Sequence, residues 1–404
     1  MNNLRARRYN IAKIMYIYWV IIIIWQYVRP VENRSVIDSL VKIGVFGIIC
    51  LYALNYGQAA IRKDFAGCLT VYLVCQLVTI VFDTGTFSLG SFITVAFMMA
   101  QIVIFLVFLD EEEIFLSELE WFCRSIVAIV FIMAAYNALF NASRFMTVFS
   151  AGSAYGNECK SFLYSNHEFG IYLAVGILSA LWLMLIRRMN KITFIVLVAF
   201  FTVNLLSTYS RTAILGCITA IFVLLFYYRK KVFLWAAMVA GLVYVYILNN
   251  PKVYDIVFNK IMKGSFEEGQ VMDEERSSMY VDQFQYFVNA TFRQKMFGYG
   301  YAGAGQFPGH DAYLMVLLTG GICMLIAFIA IVLLAMNYSF KCIRVNRSVG
   351  SLMLAFQVFS LLYMIAQTPI LFYSSMDCFF LTMITILIPK YIYNHLYRFN
   401  RSIG

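Results

Sequence analysis

The chain has 404 residues, 62% of them hydrophobic and 13% charged, and its formal net charge is +10. Soluble globular domains carry roughly 25% charged residues, so this composition excludes an ordinary soluble enzyme or binding module. Apolar runs long enough to span a bilayer recur along the whole length without the alternation of barrel strands, and the positive charge reads as an orientation signal rather than a nucleic-acid surface.

In chain order the runs predict twelve helices, at about 12–28, 36–55, 65–82, 89–109, 121–140, 167–186, 191–207, 211–228, 232–248, 310–336, 351–368 and 371–389. The expected fold is therefore all-α, a polytopic transmembrane helical bundle, with residues 1–404 as a single integral membrane domain. The first run begins among Arg5, Arg7, Arg8 and Lys13 without a small-residue cleavage site, and it reads as a retained span. With the N-terminus inside, 19 of the 31 Lys and Arg residues fall on the inner side. They collect at every inner connection, which predicts both termini in the cytoplasm. The nine cysteines mostly lie inside apolar runs and form no C-x-x-C pair, so neither a disulfide framework nor a metal cluster is expected.

Two outer connections are long. Residues 142–166 make one; residues 249–309 make the other, a long extracytoplasmic loop. In "SSMYVDQFQYFVNATFRQ" the residues Tyr280, Phe284, Phe287, Val288 and Phe292 recur at helical spacing, which predicts a surface amphipathic helix within that loop. The acidic run "EEGQVMDEER", 267–276, lacks the spacing of a calcium loop and reads as a solvated face. A glycine-rich stretch, "FGYGYAGAGQFPGH", leads into the tenth run.

One cation stands out. In "LLSTYSRTAILG", Arg211 lies at the seam between two apolar runs, where a descending helix begins at the outer boundary. A helix start offers unpaired N–H groups and the positive end of the dipole, and arginine adds a planar fork suited to phosphate. The competing account is an arginine snorkelling to the headgroups. His310 in "GHDAYLMVLLTGGI" and His167 in "YSNHEFGIYLAVG" also begin descending helices on that face. Such starts could converge on one outward cavity, where a histidine accepts a proton. Interfacial histidines bonded to loop carbonyls are the plainer alternative.

At these residues the sequence resembles the O-antigen ligase and polymerase family of bacterial membrane proteins. The likeness rests on "STYSRTAILG", on "GYG" ahead of "GHDAYLMVLLTGGI", and on the long outer loop before it. The family commonly shows His-Asn-x-Tyr-Leu where this chain has Asp311 after the histidine. The resemblance implies a glycosyltransferase in the bacterial cytoplasmic membrane with no cofactor or metal. Its substrate would be a polyprenyl-diphosphate-linked oligosaccharide, and the bilayer, a chain-length regulator and export proteins would be its partners. On that likeness Arg211, Arg276 and Arg293 are candidate diphosphate ligands and His310 the candidate base. His167, Asp311, Tyr299 and Tyr301 are candidate substrate contacts. A ligase acting on another acceptor, or a transporter or flippase of lipid-linked sugars, remains an alternative.

Overall fold

The computed structural model describes residues 63–85, 115–149, 158–163, 165–257, 274–306 and 311–365, with a few single positions besides. Among these the regular structure is helical, with no strand. The principal helices are α1 (Lys63–Val81), α2 (Phe115–Phe140), α3 (Asn166–Leu185), α4 (Lys191–Ser207), α5 (Arg211–Tyr228) and α6 (Lys230–Asn249). There follow α7 (Glu274–Asn289), the short α8 (Phe292–Phe297) and α9 (Tyr301–Ala304), then α10 (Ala312–Val345) and α11 (Arg347–Ile365). Six of the described helices are long and apolar enough to cross a membrane: α3, α5, α6, α10, α11 and residues Phe122–Phe140 of α2. The expected spans at 12–28, 36–55 and 371–389 lie outside the described residues, as does most of 89–109.

Helices α3 and α4 start where the sequence supplies a cap. Ser165 accepts from His167 N at the start of α3, and Asn190 accepts from Ile192 N at the start of α4. Two helices outrun their apolar stretches. Helix α2 begins at Phe115 and α10 continues to Val345. In α2 the extension carries Glu120, which pairs with Arg124 one turn on (2.7 Å) and with Arg188 (3.1 Å). The backbone ladder does not need a hydrocarbon environment and runs on into the polar end.

The chain divides into two compact units. The first takes residues 114–273 and 343–359 among those described, and its centre is α3, buried from Phe169 to Leu183. Burial all round marks a helix wrapped by α2, α4 and α5 rather than one facing lipid on a side. Apolar side chains gain little by leaving lipid, so close approach of small residues does the packing in such bundles. Gly176 lies where an added Cβ would stand 2.9 Å from Val130 of α2, and Gly216 lies where one would stand 3.1 Å from Phe359.

Helices α3 and α5 run parallel, side by side over their full length. At one end Gly170 sits so close to α5 that an added Cβ would stand 2.9 Å from Ala213 Cβ; at the other, Tyr228 donates to Leu185 O (3.1 Å). Helix α4 returns the chain between them. The first unit therefore has one end where α3 and α5 start and α2 and α4 finish, and an opposite end holding Glu120, Arg188 and Arg229.

The second unit takes residues 63–85, 274–342 and 360–365 among those described. Here α1 meets α10 through Tyr72 and Phe328 (ring centroids 6.3 Å apart), and Tyr313 packs edge-on against the same Phe328. Helix α10 is not continuous. Gly321 has φ 69 and ψ −168, a conformation open only to glycine, and it breaks the helix into two segments.

Candidate functional site

In the first unit the turn between α4 and α5 carries the sequence 207–211, Ser-Thr-Tyr-Ser-Arg. Ser207, Thr208, Tyr209 and Ser210 are all buried. Buried polar groups need partners, and here the turn finds them in Cys159 and in Asn166 at the start of α3. Cys159 N donates to Ser207 O (2.9 Å), and Asn166 Nδ2 donates to Thr208 O (2.8 Å). Thr208 also turns its hydroxyl to accept from Ser210 N (3.2 Å). Tyr209 is held at φ 51, in the left-handed region that a bulky side chain rarely enters. Strain of about 1–3 kcal/mol persists only where surroundings over-determine it. Its ring is buried and its hydroxyl lies 3.3 Å from Thr147 Oγ1. Burial pushes the Tyr209 hydroxyl above its ordinary range, with the Thr147 contact opposing.

Below the turn, Asn137 of α2 donates from Nδ2 to Asn204 Oδ1 of α4 (2.9 Å), Asn204 donates to Phe200 O, and Asn141 donates to Asn137 Oδ1. Asn137 and Asn204 are fully buried, so this relay fixes the ends of α2 and α4 under the turn.

His167 joins this cluster. Its Nδ1 lies 3.1 Å from Ser210 Oγ, the residue preceding Arg211. Ser210 occupies the cap position of α5, yet its side chain makes no bond to that helix's first N–H groups. Thr212 Oγ1, in the same first turn, is buried without a hydrogen-bond partner. Two parallel helices thus begin together, and their positive dipole ends add beside a half-buried guanidinium. That arrangement suits an anion. The structure brings His167 and Arg211 to one end of one unit.

The other expected residues fall in the second unit or outside the described residues. His310 lies outside them, and so does the acidic run up to Asp273. Arg276 falls in the first turn of α7. Arg293 is exposed on α8, with its guanidinium 5.3 Å from the centre of the Phe82 ring. Tyr301 opens α9. Tyr299 donates its hydroxyl to Tyr286 O (3.0 Å), which ties it to α7. Asp311 caps α10, its Oδ1 accepting from Tyr313 N (2.8 Å) and Leu314 N (3.0 Å). Burial raises the Asp311 carboxyl above its ordinary value, and those two N–H groups oppose the rise.

The glycine-rich stretch is more ordered than its composition suggests. Tyr299 N donates to Leu318 O (2.7 Å) and Gly300 N to Thr319 O (3.1 Å), so the chain bonds the carbonyls left open at the α10 break. Gly298 and Gly300 have φ 79 and 81, and a Cβ on either would collide with Thr319 or Asp83. Asp83, at the end of α1, accepts from Gly85 N (2.8 Å), Ala302 N (2.8 Å) and Gly303 N (2.9 Å). Thr84 N and Oγ1 both donate to Tyr299 O (2.8 and 3.0 Å). Asp83, Thr84 and the Asn137–Asn204 relay were not evident from sequence. The one signal for Asp83 was "DTG", a turn motif ending an apolar run.

Among the described residues, no cluster of three or more His, Cys, Asp or Glu could hold a metal ion. No protein-family model matches this chain, and no curated protein matches it.

Proposed function

We propose that this chain is a membrane glycosyltransferase, a polymerase of capsule or O-antigen type. It would transfer a growing glycan from polyprenyl diphosphate to the non-reducing end of a lipid-linked repeat unit, at the outer face of the bacterial cytoplasmic membrane. The observation that carries this reading is the shared start of α3 and α5, where His167 and Arg211 flank a strained, buried turn. In the reaction the C1–O bond to the lipid diphosphate breaks and a new glycosidic bond forms to the acceptor hydroxyl. Charge develops on the departing diphosphate, where Arg211 and the paired helix starts stabilise it. The acceptor's proton goes to a base, for which His310 is the candidate, and a placed base is worth about 10²–10⁴-fold in rate. Arg276 and Arg293 would add phosphate contacts, and Tyr299 and Tyr301 would present ring faces to sugars.

The test is reconstitution in vesicles with a lipid-diphosphate-linked repeat unit and no nucleotide sugar. The expected product is a ladder of lengthened glycan. Arg211→Ala and His310→Ala should lose it while eluting as folded protein. Full activity in both variants removes the site, and loss of activity to a chelator with rescue by magnesium would move attention to the acidic run. A ligase would give no ladder until a second acceptor is supplied. The break at Gly321 favours a second reading, a transporter, because discontinuous helices line many transport paths. Here, however, the opened carbonyls of Leu318 and Thr319 are bonded by Tyr299 and Gly300. Movement of the lipid-linked unit across the vesicle without lengthening would decide for transport.

A further inference from the structure

Helix α7 divides its residues into three sectors. Tyr280, Gln283 and Phe287 turn toward the protein, with Gln283 only 1% exposed. Asp282, Gln285 and Asn289 stand together on another side and are exposed. Between these lies an apolar stripe, Val281 (53% exposed), Phe284 (57%) and Val288 (49%), continued by Phe292 (81%) at the start of α8. The aromatic set in the sequence is thus split: half packs inward, and a separate row of side chains is left uncovered. A helix with one face on protein, one on water and a third that is apolar fits the boundary of a bilayer.

The level of this stripe is fixed by contacts within the same unit. Phe297 of α8 packs on Phe82 at the end of the apolar helix α1 (5.7 Å), and Arg293 lies over the same ring. The stripe therefore sits level with the end of the apolar helix α1. Lys295 follows it closely in sequence and matches lipid phosphate in charge. We propose that Val281, Phe284, Val288 and Phe292 are seated in the headgroup and acyl boundary of the membrane, with Lys295 on lipid phosphates. The seating holds α7 in the plane of the membrane, and through the Tyr299–Tyr286 bond it sets the height of the glycine-rich strap. This requires only that the protein is in a membrane and is independent of the glycosyl-transfer reading.

The experiment places the photoreactive analogue p-benzoyl-phenylalanine singly at 284, 285, 287 or 292 of the full chain. The protein is reconstituted in vesicles of phosphatidylethanolamine and phosphatidylglycerol, irradiated and analysed by mass. The substitution at Leu242, exposed on the apolar α6, serves as the lipid-facing standard. Lipid adducts are expected at 284 and 292 at yields near the standard and several-fold above those at 285, with only intramolecular cross-links at 287. Monodisperse elution of each variant establishes folding. Yields at 284 and 292 no higher than at 285, or cross-links from them to a second protein chain, would overturn the proposal.

Discussion

Replacing Asp83 by alanine should loosen the glycine-rich strap without unfolding the rest of the second unit. The carboxylate accepts three backbone N–H groups, two of them more than two hundred residues away in sequence. Hydrogen bonds to a charged group contribute about 1.5–3 kcal/mol each, but Asp83 is part-exposed and water replaces some of that. Counting only the two long-range bonds, at about 1–1.5 kcal/mol each after such replacement, gives about 2–3 kcal/mol of local stability. That corresponds to about 30- to 150-fold faster opening. Hydrogen exchange of the full chain in nanodiscs reads it at Thr84, Tyr299 and Gly300, whose own acceptors survive the substitution. Amides in the centre of α3 should be unchanged. Exchange at those three amides within about threefold of the parent would refute the reasoning, because the acceptor would then contribute less than a single ordinary hydrogen bond.

Other outcomes follow from the same geometry. Gly298→Ala and Gly321→Ala should each cost at least about 3 kcal/mol in denaturant or thermal melts, since both positions combine a glycine-only backbone with a collision against neighbouring main chain. Asn137→Leu should cost about 1–3 kcal/mol by leaving the Asn204 amide short of a partner, and the double change with Asn204→Leu should recover part of that loss. Asp311→Ala should cost about 0.5–2 kcal/mol through the lost cap, whereas Asp311→Asn should keep it. The Asp311 carboxyl is raised on folding, so its contribution is fully present below its ordinary value and is lost as pH rises through the folded one. In Asp311→Asn that acid-side slope should disappear from a melt-versus-pH series.

Much of the helical framework was legible in the sequence. Helices α4 and α5 coincide with their apolar runs, because Lys191, the Ser-Thr-Tyr-Ser turn and Arg229 punctuate those runs sharply. Helix α2 starts before its apolar span and α10 ends after its own, since hydropathy measures what lies inside a bilayer and not how far the hydrogen-bond ladder continues. The break at Gly321 was hidden because a Gly-Gly pair inside an apolar run leaves hydropathy nearly unchanged. Of the site, the starts at His167 and Arg211 could be read from the chain. The contact between His167 and Ser210 could not, because it joins residues 43 apart, and the Asp83 strap joins residues 220 apart. No local periodicity carries a pairing over that distance.

Helix α6 is held by the rest of the first unit less than any other of its described long apolar helices. None of its residues is buried, and its described ring contacts to α5 come from Phe233 near its start, against Phe222 and Phe226. Its twenty residues carry the chain from one end of the first unit toward the other, about 30 Å at the usual rise. A segment so exposed, and long and apolar enough to cross a membrane, suits a conduit for the polypeptide. Almost any greasy sequence of equal span could replace it beyond Phe233, so drift should accumulate there while α3, wrapped on every side, stays constrained.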